Sequence, residues 1–243
     1  MRVLDIGSAG GGTLFPALDR LGEAGSIVGI EIDEEWVEEL RTKIANRGLR
    51  NAENLQMDGR SMRFGDGVFD AVIMGMVGLD SDYDVEADRI VPGAPLMSEV
   101  LRVLKPGCFL YSSNWLRQQD SDWMRELIRR HLPDYTKHGY FPALPEGVAA
   151  LLTGVGFEDI RITFFEGHYT FDDPAEWMAG LSHVWPNELE RIKGSPRLRR
   201  SFEGGAFELL ATHLDDLGRI AYTRSAFLVA ARKPVQSPGD PRR

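Results

Sequence analysis

The sequence predicts an α/β fold built on a parallel sheet, and three observations carry that prediction. Over about the first hundred residues, short apolar segments alternate with amphipathic segments of helical period, which is the pattern of successive βαβ units. The strand-like segments are short and largely apolar, without a regular polar alternation, as strands covered on both faces tend to be. The first of them, VLDIG, runs straight into the glycine-rich turn GSAGGG and then into a helical pattern.

Taken in order, strands are predicted at 3–7, 26–32, 54–58, 69–75 and 109–115. A helix from Thr13 to Leu21 follows the glycines. The next, over 34–48, has Asp33 as its N-cap and Gly48 as its stop. A third, over 95–104, ends at Lys105-Pro106-Gly107, a terminator with a cation in the last turn. Beyond residue 115 the composition becomes aromatic and basic, with an amphipathic helix at 120–132. A helix at 145–157 ends in a glycine turn and precedes a strand at 158–171. From 172 to 218 the pattern is helical again, and 220–233 reads as a final strand. Residues 1–233 are expected to form a single domain, followed by a Pro-rich, disordered tail over 234–243.

Composition narrows the function. The 28 Lys and Arg against 37 Asp and Glu give a net charge of −9, which disfavours a nucleic-acid partner, since a phosphate backbone calls for a basic face. The basic run Arg197, Arg199 and Arg200 is short and reads as a solvated helix face. A single cysteine, Cys108, allows no internal disulfide. The histidines at 131, 138, 168, 183 and 213 show no metal-ligand spacing. No stretch is long and apolar enough for a membrane helix, and Asp5 interrupts any signal-peptide core. A cytoplasmic protein without a membrane partner is expected, either monomer or homodimer.

The glycine turn admits two ligand classes. GSAGGG fits a loosened dinucleotide pattern, with Glu31 near the acidic position expected about 20 residues on. Asp5 argues against it, because a carboxylate beside a pyrophosphate repels it, whereas an ammonium or sulfonium would gain from that charge.

Two further segments, Asp58-Gly59 running to Phe69-Asp70 and Arg102-Val-Leu-Lys105-Pro106-Gly107-Cys108, stand in order after Asp5-Ile-Gly7-Ser-Ala9-Gly10-Gly11. With these three motifs the chain resembles the class I S-adenosylmethionine (SAM)-dependent methyltransferases, and within them the group of ubiquinone and menaquinone C-methyltransferases and many natural-product enzymes. The resemblance covers about residues 2–115. It implies a Rossmann-like methyltransferase fold, a mostly parallel seven-stranded sheet with helices on both faces and a helical lid insertion. Departures are Ala9 for the middle glycine, which requires ordinary φ there, Arg63 where proline is common, and Cys108 for the last glycine.

The same resemblance implies a site. Asp5 with the backbone of Gly7, Ser8, Ala9, Gly10 and Gly11 would hold the methionine end of SAM. Glu31 would take the ribose hydroxyls, with Ile32 against the adenine. Asp58 would accept from the adenine amino group beside the Gly59 N–H. Met74 and Gly75, ending the fourth strand, would line the methyl being transferred, leaving S-adenosylhomocysteine (SAH).

The acceptor in this fold lies above the carboxyl ends of strands four and five, under a lid. Lid segments are expected at 78–94, about 115–145 and 172–205, where Trp115, Tyr135, His138, Tyr140, Phe141, Trp177, His183 and Trp185 could wall a planar acceptor or form the lid's own core. His138 and His183 are the candidates for a general base, needed only if the acceptor must lose a proton. The motif of methyltransferases that act on base or glutamine amino groups is missing, since the stretch reads Met74-Gly75-Met76-Val77-Gly78. Cys108 is misplaced for an RNA cytosine nucleophile. A small-molecule acceptor is therefore expected. The alternatives are a SAM-binding module without methyl transfer and, less favoured, an NAD(P)-dependent oxidoreductase. Family members generally place helices before the first strand, whereas here Met1 almost abuts it. A shortened start, a lid supplied wholly by the later segments, or a covering second subunit would each fit.

Overall fold

The computed structural model describes residues 1–84, 87, 89–135, 144–182 and 184–235, with Leu181 described by its backbone alone. The described residues divide into two compact units. The first comprises Met1–Asn114, Pro142–Phe164 and Phe227–Arg243; the second comprises Trp115–Phe141 and Phe165–Ala226. The expected lid segments at 115–145 and 172–205 lie largely in the second unit, and that at 78–94 lies in the first.

The first unit opens on β1 (Arg2–Ile6), α1 (Leu14–Leu21), β2 (Ser26–Glu31), α2 (Glu34–Asn46), β3 (Ala52–Gln56) and β4 (Phe69–Gly75). Asp33 caps α2 by accepting from the Glu35 and Trp36 N–H groups, and Gly48 follows in the left-handed conformation with φ +64°. A two-stranded hairpin of β5 (Tyr83–Asp84) and β6 (Arg89–Ile90) precedes α3 (Pro95–Val103). Long strand β7 (Leu104–Gln118), helix α4 (Gln119–His131), α5 (Pro145–Val155), β8 (Glu158–Phe171) and β9 (Ile220–Arg232) complete the sheet and its connections, with α6 (Pro174–Leu181), α7 (Pro186–Lys193) and α8 (Pro196–Leu210) between the last two strands.

The seven-stranded sheet has the order β3-β2-β1-β4-β7-β9-β8. β1 pairs in parallel with β2 and β4, β2 with β3, and β4 with β7. At the far side, the Gly107 N–H donates to Lys233 and the Lys233 N–H to Cys108. The start of β7 thus meets the residue just past the end of β9, so those two strands run in opposite senses. Val3, Leu4, Asp5 and Ile6 are all buried; neighbours in a strand point to opposite faces, so β1 is covered on both. Val3, Leu14, Phe15, Leu18, Ile27, Leu40, Ile44 and Ala71 form one of its cores.

The Lys-Pro-Gly segment does not separate α3 from a strand at 109, as the sequence suggested. β7 begins at Leu104 and carries the segment as a bulge, because its register on β4 slips between Phe69↔Leu104 and Ala71↔Phe109. Gly107 supplies the left-handed residue at φ +78°, and Lys105 Nζ donates to Asp70 at 2.6 Å inside the slip.

The second unit has its own core, in which Trp123, Met124, Leu127 and Ile128 of α4 meet Trp177, Trp185, Leu189, Ile192, Phe202 and Ala206. Asp120, fully buried, forms an ion pair with Arg224, whose Nε lies 2.9 Å from the carboxylate. The Arg224 guanidinium also lies over the rings of Trp115 and Tyr222.

Candidate functional site

The glycine turn after β1 folds back on the end of β2. The Gly7 and Ser8 N–H groups both donate to the Ile30 carbonyl, and the Gly11 N–H donates to Ser8. Alternate residues of the turn take positive φ: Gly7 +68°, Ala9 +37° and Gly11 +88°. Ala9 therefore does not have the ordinary φ expected of it. The turn imposes the left-handed conformation on its middle residue, at a cost of about 1–2 kcal/mol for a residue with a Cβ. In return the Ala9 N–H reaches Glu31 Oε2 at 3.2 Å. Ser8 is buried, its hydroxyl donating to Asn54 Oδ1 at 2.9 Å, so its side chain belongs to the wall behind the turn. Lys43 Nζ donates to the Gly10 carbonyl at 3.2 Å and tethers the turn to α2.

Asp5 lies at the centre of the sheet, opposite Gly29 on β2 and Ile73 on β4. It is fully buried, and neither carboxylate oxygen has a hydrogen-bond partner. Burial pushes its pKa up from 3.8 to about 7. The Thr13 hydroxyl faces it and offsets part of this, short of ordinary hydrogen-bond geometry, while the nearby Glu31 charge adds to the rise. An unpaired buried carboxylate is costly, and its natural complement is a cation.

Glu31, the last residue of β2, has its carboxylate fixed by three backbone donors. Oε1 accepts from Ile32 at 2.8 Å and Asp33 at 3.3 Å, and Oε2 accepts from Ala9. It borders a groove of about 240 Å³ that also exposes Gly7, Ile32, Asp58 and Gly59. Five of the residues expected to hold a cofactor thus share one cavity wall. Its lining also includes Arg60 and Val77, which the sequence did not mark as site residues, and Asp80 of the expected lid segment at 78–94. Arg60 grips Asp58: its Nε donates to both carboxylate oxygens at 3.0 and 3.1 Å and its Nη2 to Oδ2 at 2.7 Å. These bonds hold the Asp58 pKa below the usual carboxylate range. The only sequence signal for this pair was the Asp-x-Arg spacing.

Met74 and Gly75 do not line this groove. Met74 is buried, and both border a larger, mainly apolar cavity of about 540 Å³ together with Thr13, Tyr111, Leu228 and other residues of the first unit. Of the aromatic residues expected to wall an acceptor, Trp177 and Trp185 are buried in the second unit's core, with Tyr135 packed against it. Trp185 Nε1 donates to the Tyr135 hydroxyl at 2.9 Å. His138, Tyr140, Phe141 and His183 lie outside the described residues, as does the tail from 236. No helix among the described residues is long and apolar enough to cross a membrane.

The chain also has relatives among known proteins. Residues 3–107 match a methyltransferase domain family. The chain is 42% identical over 72 residues to aklanonic acid methyltransferase DauC of Streptomyces sp. (strain C5), a match covering 30% of this chain and 33% of that protein. It is 28% identical over 107 residues to demethylmenaquinone methyltransferase of Lactococcus lactis, covering 44% and 39% respectively. The chain thus spans well under half the length of the curated relatives it matches. Among solved structures, a Bacillus halodurans protein described as a methyltransferase superposes over 96% of this chain and 93% of its own, with a TM-score of 0.58 at 19% identity, a likeness of fold. Motif order, sheet topology and the matched segment point the same way: residues 3–107, less than half of the chain, match a methyltransferase domain family.

Proposed function

We propose that the chain transfers a methyl group from SAM to a small-molecule acceptor. The observation that carries this reading is Asp5, a buried carboxylate without a partner at the root of the glycine turn. The residues present fit SAM: Asp5 matches an ammonium, and Glu31 offers acceptors to a ribose diol. The 240 Å³ groove beside Ile32 and Asp58 suits a purine.

In this reading Asp5 and the Gly7–Gly11 backbone hold the methionine end, with Ser8 as the wall behind it. Glu31 orients the ribose, and Asp58 and Gly59 contact the purine edge. SAM, when bound, supplies a methyl carbon on a sulfonium that leaves as a neutral thioether. The chain's own task is then to fix the donor, hold the acceptor in line and keep water away. Met74 and Gly75 close the end of β4 beside the larger apolar cavity. His138 and His183 are kept as the candidates to accept a proton from an acceptor that must lose one. The net charge of −9 supports a small-molecule acceptor over a nucleic acid, and the single cysteine supports a cytoplasmic setting.

The test has two parts. Calorimetry with SAH should show binding that Glu31→Ala weakens by at least about 10-fold, as expected for losing a charged hydrogen-bond pair. Unchanged affinity would remove Glu31 from the site. Incubation with methyl-labelled SAM and a metabolite extract should then move label to a small molecule. A protein that binds SAH yet moves no label would be a SAM-binding module instead.

A further inference from the structure

Asp58 and Arg60 form an unusual pair for their position. Arg60 is half-exposed and follows Asp58 by two residues, and an ion pair so local and so wet adds little to stability. Yet it is held with more bonds than a surface pair needs. Besides the three guanidinium contacts, the Arg60 backbone N–H donates to Asp58 Oδ1 at 2.8 Å, and the Ser61 N–H donates to the Asp58 carbonyl at 3.1 Å. The turn sits against the core. A Cβ on Gly59 would lie 2.8 Å from Leu96 Cδ1 and 3.2 Å from Ile6 Cγ2, so the turn packs closely against side chains of α3 and β1. The carboxylate is thus immobilised at the edge of the groove. Three N–H donors, one of them shared between the two oxygens, on a carboxylate with about four lone-pair sites leave room for one further donor.

Resting on the reading that this groove holds the purine of SAM, we infer that Arg60 is a positioning residue that fixes Asp58 as a permanent hydrogen-bond acceptor, so that the site selects a 6-amino purine over a 6-oxo purine. A 6-amino group donates to such a carboxylate. A 6-oxo group brings acceptor against acceptor and leaves both unpaired. Without the fork, Asp58 is free to rotate toward solvent, or to take a proton and donate to the oxo group; either relaxes the choice.

Binding of SAH and of S-inosylhomocysteine to the full chain, measured by calorimetry, tests this. The unaltered protein should prefer SAH by about 10-fold or more, the scale of one mismatched charged hydrogen bond. Arg60→Ala should bring the preference below about 3-fold. Arg60→Lys, which keeps the charge and loses the fork, should fall between. A purely structural role would weaken both ligands alike and leave the ratio intact, and an unchanged ratio in Arg60→Ala overturns the inference. If that variant does not fold, an unchanged ratio in Arg60→Lys does the same. Failure of the unaltered protein to bind SAH would overturn the functional reading itself. Binding of SAH without preference would overturn only the role of Arg60.

Discussion

Asp5→Asn should stabilise the cofactor-free protein, and by an amount that depends on pH. The folded carboxyl titrates near 7, against 3.8 as its ordinary value. Below the lower value both states bind the proton and the group has no effect. As pH rises toward 7 the unfolded chain ionises while the folded one does not, so folding is progressively penalised at about 1.4 kcal/mol per pH unit. Above 7 both are ionised and the penalty is constant, near 4 kcal/mol in total. Asn removes this titration. The stability difference between variant and parent should therefore widen by about 3 kcal/mol between pH 5 and 7 and then level off. In thermal denaturation that is roughly 6–12 °C of additional Tm difference for a chain of this size. Asn brings its own cost of a buried amide, but that cost does not vary with pH and drops out of the comparison. A difference that is the same at pH 5 and pH 8 would refute the argument that Asp5 is buried without a partner. SAH should reverse the ranking at pH 8 by stabilising the parent more than the variant, because only the carboxylate gains from an ammonium.

Two further substitutions test each unit separately. Gly11→Ala places a Cβ 2.5 Å from Phe15 Cε2 and 2.8 Å from Leu40 Cδ1 at φ +88°, so it should cost at least about 2–4 kcal/mol in urea denaturation; a neutral effect would mean the turn is not set as described. Asp120→Ala strands the Arg224 guanidinium in the second unit and should cost about 3–5 kcal/mol, read in the tryptophan fluorescence of that core.

The parts of the fold legible in the sequence are those fixed by neighbours in the chain. Strand β4 and strand β8 fall where short apolar runs between turns put them, and α2 runs from the Asp33 cap to just short of Gly48. What was missed depends on residues far apart. The bulge in β7 arises from pairing with β4, so proline and glycine looked like a terminator when only local sequence was weighed. The N-terminus of α3 has no cap of its own in the preceding residue. Asp82, fully buried, crosses to accept from the Leu96 and Met97 N–H groups at 3.0 and 2.6 Å, a partnership no local pattern signals. The hairpin strands β5 and β6 have two residues each, too few for periodicity. In the candidate site, motif order points to Asp5, Glu31 and Asp58. It does not signal the positive φ of Ala9 or the grip of Arg60, because both are set by the closing of a turn on a neighbouring strand.

Charge alone does not decide between a cationic and an anionic ligand at the glycine turn, because a carboxyl that titrates near 7 can adapt to either. Bringing a phosphate to about 5 Å would cost about 3 kcal/mol per unit pair at an effective dielectric of 20, but at neutral pH Asp5 escapes most of that by taking up a proton. An ammonium would do the opposite: it would favour the ionised form and drive the proton off. The sign of the proton exchange therefore separates the ligands where affinity does not. Calorimetry of SAH binding at pH 7 in buffers of different ionisation enthalpy should show a net release of roughly half a proton, the fraction a group titrating near 7 still holds there. Asp5→Asn should abolish that release. Proton uptake, or a release that survives in the Asn variant, would place the ammonium elsewhere and leave the buried carboxylate without its assigned partner.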